Sequence, residues 1–112
     1  MSVVQDEAAV LDRVFAVIQS RRDADPEISH VARLFQKGTR KIAQKVGEEA
    51  VEVVIEAVRG KRDRIIAESA DLMYHLLVLW ADAHVLPGEI WEELARREGV
   101  SGLAEKLARR EE

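Results

Sequence analysis

No cysteine occurs among the 112 residues. Disulfides, thiolate metal sites and a cysteine nucleophile are therefore excluded, while the redox compartment is left open. Aromatic residues make up only 4 %, so a core has to come from Ala, Val, Ile and Leu. Positive charge is not in excess either: 17 Lys and Arg stand against 21 Asp and Glu, a formal net charge of −4. Such a chain lacks the phosphate-neutralising surface that general nucleic-acid binding draws on, and no nucleic acid is expected as a partner. The longest strongly apolar run, 72–81, is interrupted by His75 and falls far short of the roughly 20 residues a membrane helix needs. Residues 1–10 include Gln5, Asp6 and Glu7 and lack the basic region and apolar core of a signal peptide. A cytoplasmic protein with no membrane partner is expected. Alternating strand patterns, internal repeats and low-complexity tracts are also missing.

What is present favours helix. Apolar residues account for 47 % and charged ones for 34 %, and Ala, Leu, Glu, Lys and Arg dominate, all good helix formers. The length fits one domain, taken as 1–98, followed by a polar helical tail over 99–112 that Ser101 can cap. Helix signals succeed one another. Over 5–22, apolar residues at 8, 11, 14, 15 and 18 make one helical face; the stretch ending at Pro26 closes it. Ser29 reads as the N-cap of a short helix to Lys37. Gly38-Thr39 allows a bend before a helix over 40–59, which Gly60 closes as C-cap. Gly47 costs that helix about 1 kcal/mol relative to alanine, which suggests a close approach to its backbone. Asp63 reads as the cap of a helix over 64–83, broken by Pro87-Gly88, and 89–97 forms a further short helix. The expected architecture is an all-α bundle. Because a domain of this size leaves much surface in water, self-association would complete its core.

The chemistry lies in two acidic pairs. At about 100° per residue, Glu48, Glu49, Glu52 and Glu56 fall in one stripe of their helix, with valines and Ile55 filling most of the rest. Glu68 and Asp71 stand one turn apart at the start of the next helix, which is apolar nearly all round from 69 to 81 and is expected to be buried. Acids are rarely buried unless paired or metal-bound. A helix N-terminus favours acids, but that does not explain a second pair one helix earlier at the same spacing. Two antiparallel helices joined at Gly60 would bring the pairs face to face. All-oxygen ligands suit a hard cation, Mg²⁺ or Mn²⁺, which takes part of its shell from substrate phosphates. Lys37, Lys41 and Lys45 recur every four residues and, if the helix runs through Gly38, align with the glutamates where they could meet phosphate oxygens. The bland alternative pairs Lys45 with Glu49 on a solvated surface. His75, four residues after Asp71, reads as a satisfied core residue or a partner to a metal ligand. Trp80 and Trp91 are expected to pack where the last helices meet or in a subunit interface.

The segment from Leu34 to Ala57, with Lys37-Gly-x-x-Lys41-Ile-x-x-Lys45-Val-Gly47-Glu48-Glu49-x-x-Glu52, followed by Glu68-x-x-Asp71-Leu-x-Tyr74-His75-Leu-Leu-Val-Leu79, resembles the phosphoribosyl-ATP pyrophosphohydrolases. Those enzymes are part of the MazG-like all-α nucleotide pyrophosphohydrolases, whose general signature is Glu-Glu-x-x-Glu and then Glu-x-x-Asp. The likeness runs over about residues 10 to 97. It implies a MazG-like homodimer that hydrolyses the α–β phosphoanhydride of phosphoribosyl-ATP, a small-molecule nucleotide, in the second step of histidine biosynthesis. It also implies Glu49, Glu52, Glu68 and Asp71 as metal ligands, Glu48 as the residue that orients or deprotonates the attacking water, and Lys37, Lys41 and Lys45 as phosphate-binding residues. One departure is Ser29-His30-Val31, where the family carries Ser-Tyr-Thr. A housecleaning nucleotide pyrophosphohydrolase and a non-enzymatic helical dimerisation module are the alternatives.

Overall fold

The computed structural model of the chain describes residues 9–98 together with Glu7 and Arg109. Among the described residues five helices follow in order: α1 (Val10–Ser20), α2 (His30–Lys37), α3 (Thr39–Arg59), α4 (Arg62–Asp82) and α5 (Pro87–Arg97). No strand occurs among the described residues, and none of their helices is long and apolar enough to cross a membrane. The expected tail over 99–112 lies outside the described residues except for Arg109.

The helix boundaries follow from local chemistry. Ser29 caps α2: its Oγ accepts a hydrogen bond from the Ala32 N–H at 3.1 Å, satisfying one of the orphan donors of the first turn. Gly38 then adopts φ 92° and separates α2 from α3. That conformation is left-handed and favours glycine. The continuous helix through Gly38 that would align all three lysines is therefore absent; Lys37 belongs to a different helix from Lys41 and Lys45. Gly60, at φ 69°, is the expected C-cap of α3. Asp63 does not cap α4, since the helix already starts at Arg62 and Lys61 is its N-cap residue. Asp63 sits instead in the first turn, where the helix dipole still favours it. Pro87 is the first residue of α5 rather than a breaker of α4, which has ended at Asp82.

α3 and α4 form a long antiparallel hairpin with the most extensive packing in the molecule. Thr39 Oγ1 donates to Asp82 Oδ2 at 2.6 Å at one end, and Arg64 Nε reaches Glu56 Oε2 at 3.5 Å at the other, which fixes the register of the pair. The core lies toward the first of these ends. Phe15 and Ile18 from α1, Val31 and Leu34 from α2, Ile42 from α3, and Leu77, Val78 and Ala81 from α4 are all buried there. Arg22 fastens the segment after α1, with its guanidinium 4.7 Å above the Phe35 ring and a hydrogen bond to the Ala81 carbonyl. Trp80 and Trp91 meet edge to face at 6.0 Å, as expected where α4 and α5 join.

In the other half of the hairpin the acidic pairs of α3 and α4 come face to face, as expected, and the apolar side of α3 is left outside. Val51 is 56 % exposed, Val54 60 %, Val58 84 % and Ile66 55 %. The apolar face of α3 looks outward, and its acidic face lies along α4. The expected burial of 69–81 holds only for its later part, since Ser69, Ala70, Asp71 and Met73 are exposed. Gly47 is exposed too, and a Cβ added there would meet nothing within 4 Å, so no close approach among the described residues explains it.

Candidate metal centre

The hairpin register decides which acids meet. Glu49 on α3 stands across from Glu68 and Asp71 on α4, and one carboxylate oxygen from each lies within 4.8 Å of the other two. Oxygens on opposite sides of a bound Mg²⁺ would be about 4.2 Å apart, so small side-chain adjustments suffice to close the three around an ion. The donor set is hard and anionic, which suits such a cation. Exposure is graded across the trio: Glu68 is buried, Glu49 half-buried and Asp71 exposed, leaving one side open to a substrate.

The electrostatics record the crowding. The Glu68 carboxyl is pushed above its ordinary value, first by burial and then by Asp71, with Glu52 and Glu49 adding to the effect and Arg64 opposing it. Glu52 thus lies close enough to act on Glu68, but its oxygens are not among the three that converge. Glu48 is exposed, and its carboxylate accepts a hydrogen bond from Gln44 Nε2 at 2.7 Å. That bond, followed by the attraction of Lys45, holds its carboxyl below the ordinary value although partial desolvation opposes them. Glu56, the fourth member of the acidic stripe, leaves the centre altogether. It is buried, paired with Arg59 Nη1 at 3.2 Å and Arg64 Nε at 3.5 Å.

The lysines divide. Lys45 Nζ is 3.5 Å from Glu48 Oε2 and 3.9 Å from Glu49 Oε1, so the i, i+4 pairing is present at the edge of the carboxylate group. Lys41 is half-buried one turn earlier and acts on Glu48. Lys37 is exposed at the end of α2. Lys45 and Lys37 both act on His30, which is held below its ordinary value by partial burial first and then by His75, Arg33 and these two lysines. His75 is only half satisfied. Its Nδ1 is 2.7 Å from the Asp71 carbonyl oxygen, but its Nε2 is buried without a hydrogen-bond partner among the described residues.

Residues 11–98 match the family model described as phosphoribosyl-ATP pyrophosphohydrolase. The chain belongs to the phosphoribosyl-ATP pyrophosphohydrolase family. It is 65 % identical to the phosphoribosyl-ATP pyrophosphatase of Azospirillum brasilense, over 92 % of this chain and 93 % of that protein. Identity to the phosphoribosyl-ATP pyrophosphatase of Gluconobacter oxydans is 59 %, over 92 % of this chain and 77 % of the relative. The protein of that name from Cereibacter sphaeroides is 52 % identical over 90 % of this chain and 98 % of its own length.

The stretch shared with the pyrophosphohydrolase family holds the five helices of the described residues except the first residue of α1. It also holds every member of the carboxylate group. One site-adjacent residue escaped the sequence reading. Arg64 Nη2 donates to Glu68 Oε1 at 3.1 Å while its Nε reaches Glu56. The available signal was its position four residues before Glu68, the i, i+4 spacing of a helical ion pair.

Proposed function

We propose that this chain hydrolyses the α–β phosphoanhydride of phosphoribosyl-ATP, giving phosphoribosyl-AMP and pyrophosphate in the second step of histidine biosynthesis. The observation that carries the reading is the convergence of Glu49, Glu68 and Asp71 across the α3–α4 hairpin, in a chain of the pyrophosphohydrolase family. In this reading Glu49, Glu68 and Asp71, with Glu52 brought in from the same face, hold Mg²⁺, for which Mn²⁺ can substitute. When bound, the ion supplies polarisation of phosphoryl oxygens and a more acidic water. The chain's own residues do the rest. Lys41 and Lys45 lie along the same helix face as the carboxylates and neutralise phosphate oxygens; Lys37 approaches from the end of α2. Glu48 remains ionised, and its depressed basicity favours orienting the attacking water over carrying away its proton.

Residues 1–98 are the catalytic unit in this proposal, and it works as a cytoplasmic homodimer with no nucleic-acid or membrane partner. The outward valines support the dimer. Val51, Val54, Ile55, Val58, Ile66 and Met73 are all exposed on one hairpin, and clustered exposed apolar residues of this kind mark interaction surfaces. A second hairpin laid against it would bury that face and leave the carboxylates in the groove.

The test is pyrophosphate release from phosphoribosyl-ATP, with ATP and deoxynucleoside triphosphates as controls, in Mg²⁺ and in EDTA. Metal-dependent release from phosphoribosyl-ATP alone is expected. Preference for deoxynucleotides would make the chain a housecleaning enzyme. No release from any nucleotide would reduce it to a dimerisation module with solvated acids.

A further inference from the structure

We propose that Arg64 is a second anion-binding element of the centre: a guanidinium that neutralises Glu68 while the metal is absent and turns to the phosphates of the substrate or of pyrophosphate once a cation takes Glu68. The proposal deepens the hydrolase reading and rests on it for the identity of the anion.

Three observations carry it. The first is the geometry of the ion pair. Arg64 bridges Glu56 and Glu68, whose side chains are 5 % and 11 % exposed, yet its own side chain is 59 % exposed. One edge of the guanidinium is held by two sequestered carboxylates and the remainder faces solvent. A planar fork of this kind suits two oxygens of one phosphate better than a lysine does. The second is its place along the hairpin. Lys45 lies one turn before Glu49 on α3, and Arg64 lies one turn before Glu68 on α4. Because the helices are antiparallel, the two cations flank the carboxylates from opposite ends. A phosphate chain crossing the metal centre would meet positive charge on both sides. The third is the surface beyond Arg64. An open depression of about 410 Å³ at the hairpin tip is lined by Gly60, Lys61, Arg62, Asp63 and Arg64, three cations against one acid.

The sharing of Glu68 makes Arg64 and a metal ion competitors for the same negative charge. A divalent cation on Glu68 also repels the guanidinium. Metal binding and the Arg64–Glu68 pair therefore oppose each other, whereas metal binding and the capture of an anion by Arg64 reinforce each other. A residue that merely props Glu68 in place would give the opposite result for the metal.

The experiment compares wild type with Arg64→Gln, Arg64→Lys and Arg59→Ala. Arg59 is the control because it is also exposed and pairs with Glu56, but it does not reach Glu68. Mn²⁺ affinity of the nucleotide-free protein and affinity for inorganic pyrophosphate at fixed free Mg²⁺ are both read by calorimetry, with thermal melts to confirm folding. Arg64→Gln should bind Mn²⁺ severalfold more tightly while losing roughly tenfold in pyrophosphate affinity, the loss of a charge-assisted contact. Arg64→Lys should fall between wild type and Arg64→Gln in both measurements, and Arg59→Ala should match wild type. Weaker Mn²⁺ binding in Arg64→Gln would overturn the proposal in favour of a propping role, and an unchanged pyrophosphate affinity would also overturn it. If the predicted pattern appears in a protein that releases no pyrophosphate from any nucleotide, the hydrolase reading alone falls.

Discussion

At Glu68 two demands oppose each other. The residue is buried and beset by neighbouring carboxylates, so in the metal-free chain its ionised form is disfavoured. A raised folded-state value means that the native state holds more protons than the unfolded chain. Stability should therefore fall as pH rises from the ordinary value of 4.5 through the raised folded one. Urea midpoints in EDTA across that range should show the decline, and Glu68→Gln should remove it. Saturating Mg²⁺ should flatten it as well, because a bound cation supplies the missing counter-charge. The same logic separates a metal centre from a solvated acidic face at neighbouring residues. Asp71→Asn and Glu52→Gln should lower turnover by more than about a hundredfold. Both should leave the metal-free melting temperature equal to wild type or higher, since each removes like-charge repulsion. A loss of activity that merely tracked unfolding would speak against the centre.

At the scale of the element, caps and ion pairs carry the tests. Ser29 is buried and bonded to the first turn of α2; Ser29→Ala should cost about 1 kcal/mol, seen as a lower midpoint in denaturant titration. On α5, Glu93 is paired with Arg96 and Arg97, and the Arg96 bond holds its carboxyl down at about 2. The contribution of these pairs should be complete above the ordinary 4.5 and vanish as pH falls through about 2. Glu93→Gln should lack that acid-side change in helical signal. Much of this scale was legible in sequence: Ser29 before the apolar run, Gly60 after Arg59, and acids at matching spacing on two successive helices. The facing of the two acidic pairs was legible as well, because antiparallel helices joined at Gly60 bring them together. What sequence could not give was the register of the hairpin, which places Glu49 in the trio and Glu56 between two arginines.

For the whole molecule, the outward apolar face of α3 is the main fact. The core of Phe15, Ile18, Val31, Leu34 and Ile42 sits at one end of the hairpin, while the valines at the other end remain exposed. If a second copy covers them, Val54→Lys should halve the mass measured by sedimentation and reduce thermal stability, because the substitution places a charge in an apolar contact. A mutant with unchanged mass would place that face elsewhere in the function.

The turn between α3 and α4 has a further consequence. Gly60 and Lys61 are exposed, and insertions in such surface turns are ordinarily tolerated at small energetic cost. Here the turn also sets which carboxylates of α3 and α4 meet. One added residue would rotate α4 by about 100° relative to α3, or shift it along the axis, and either change would part Glu49 from Glu68 and Asp71. The same change would part Ile42 from Leu77, Val78 and Ala81, so the length of this exposed loop is held by the core at one end of the hairpin as well as by the carboxylates.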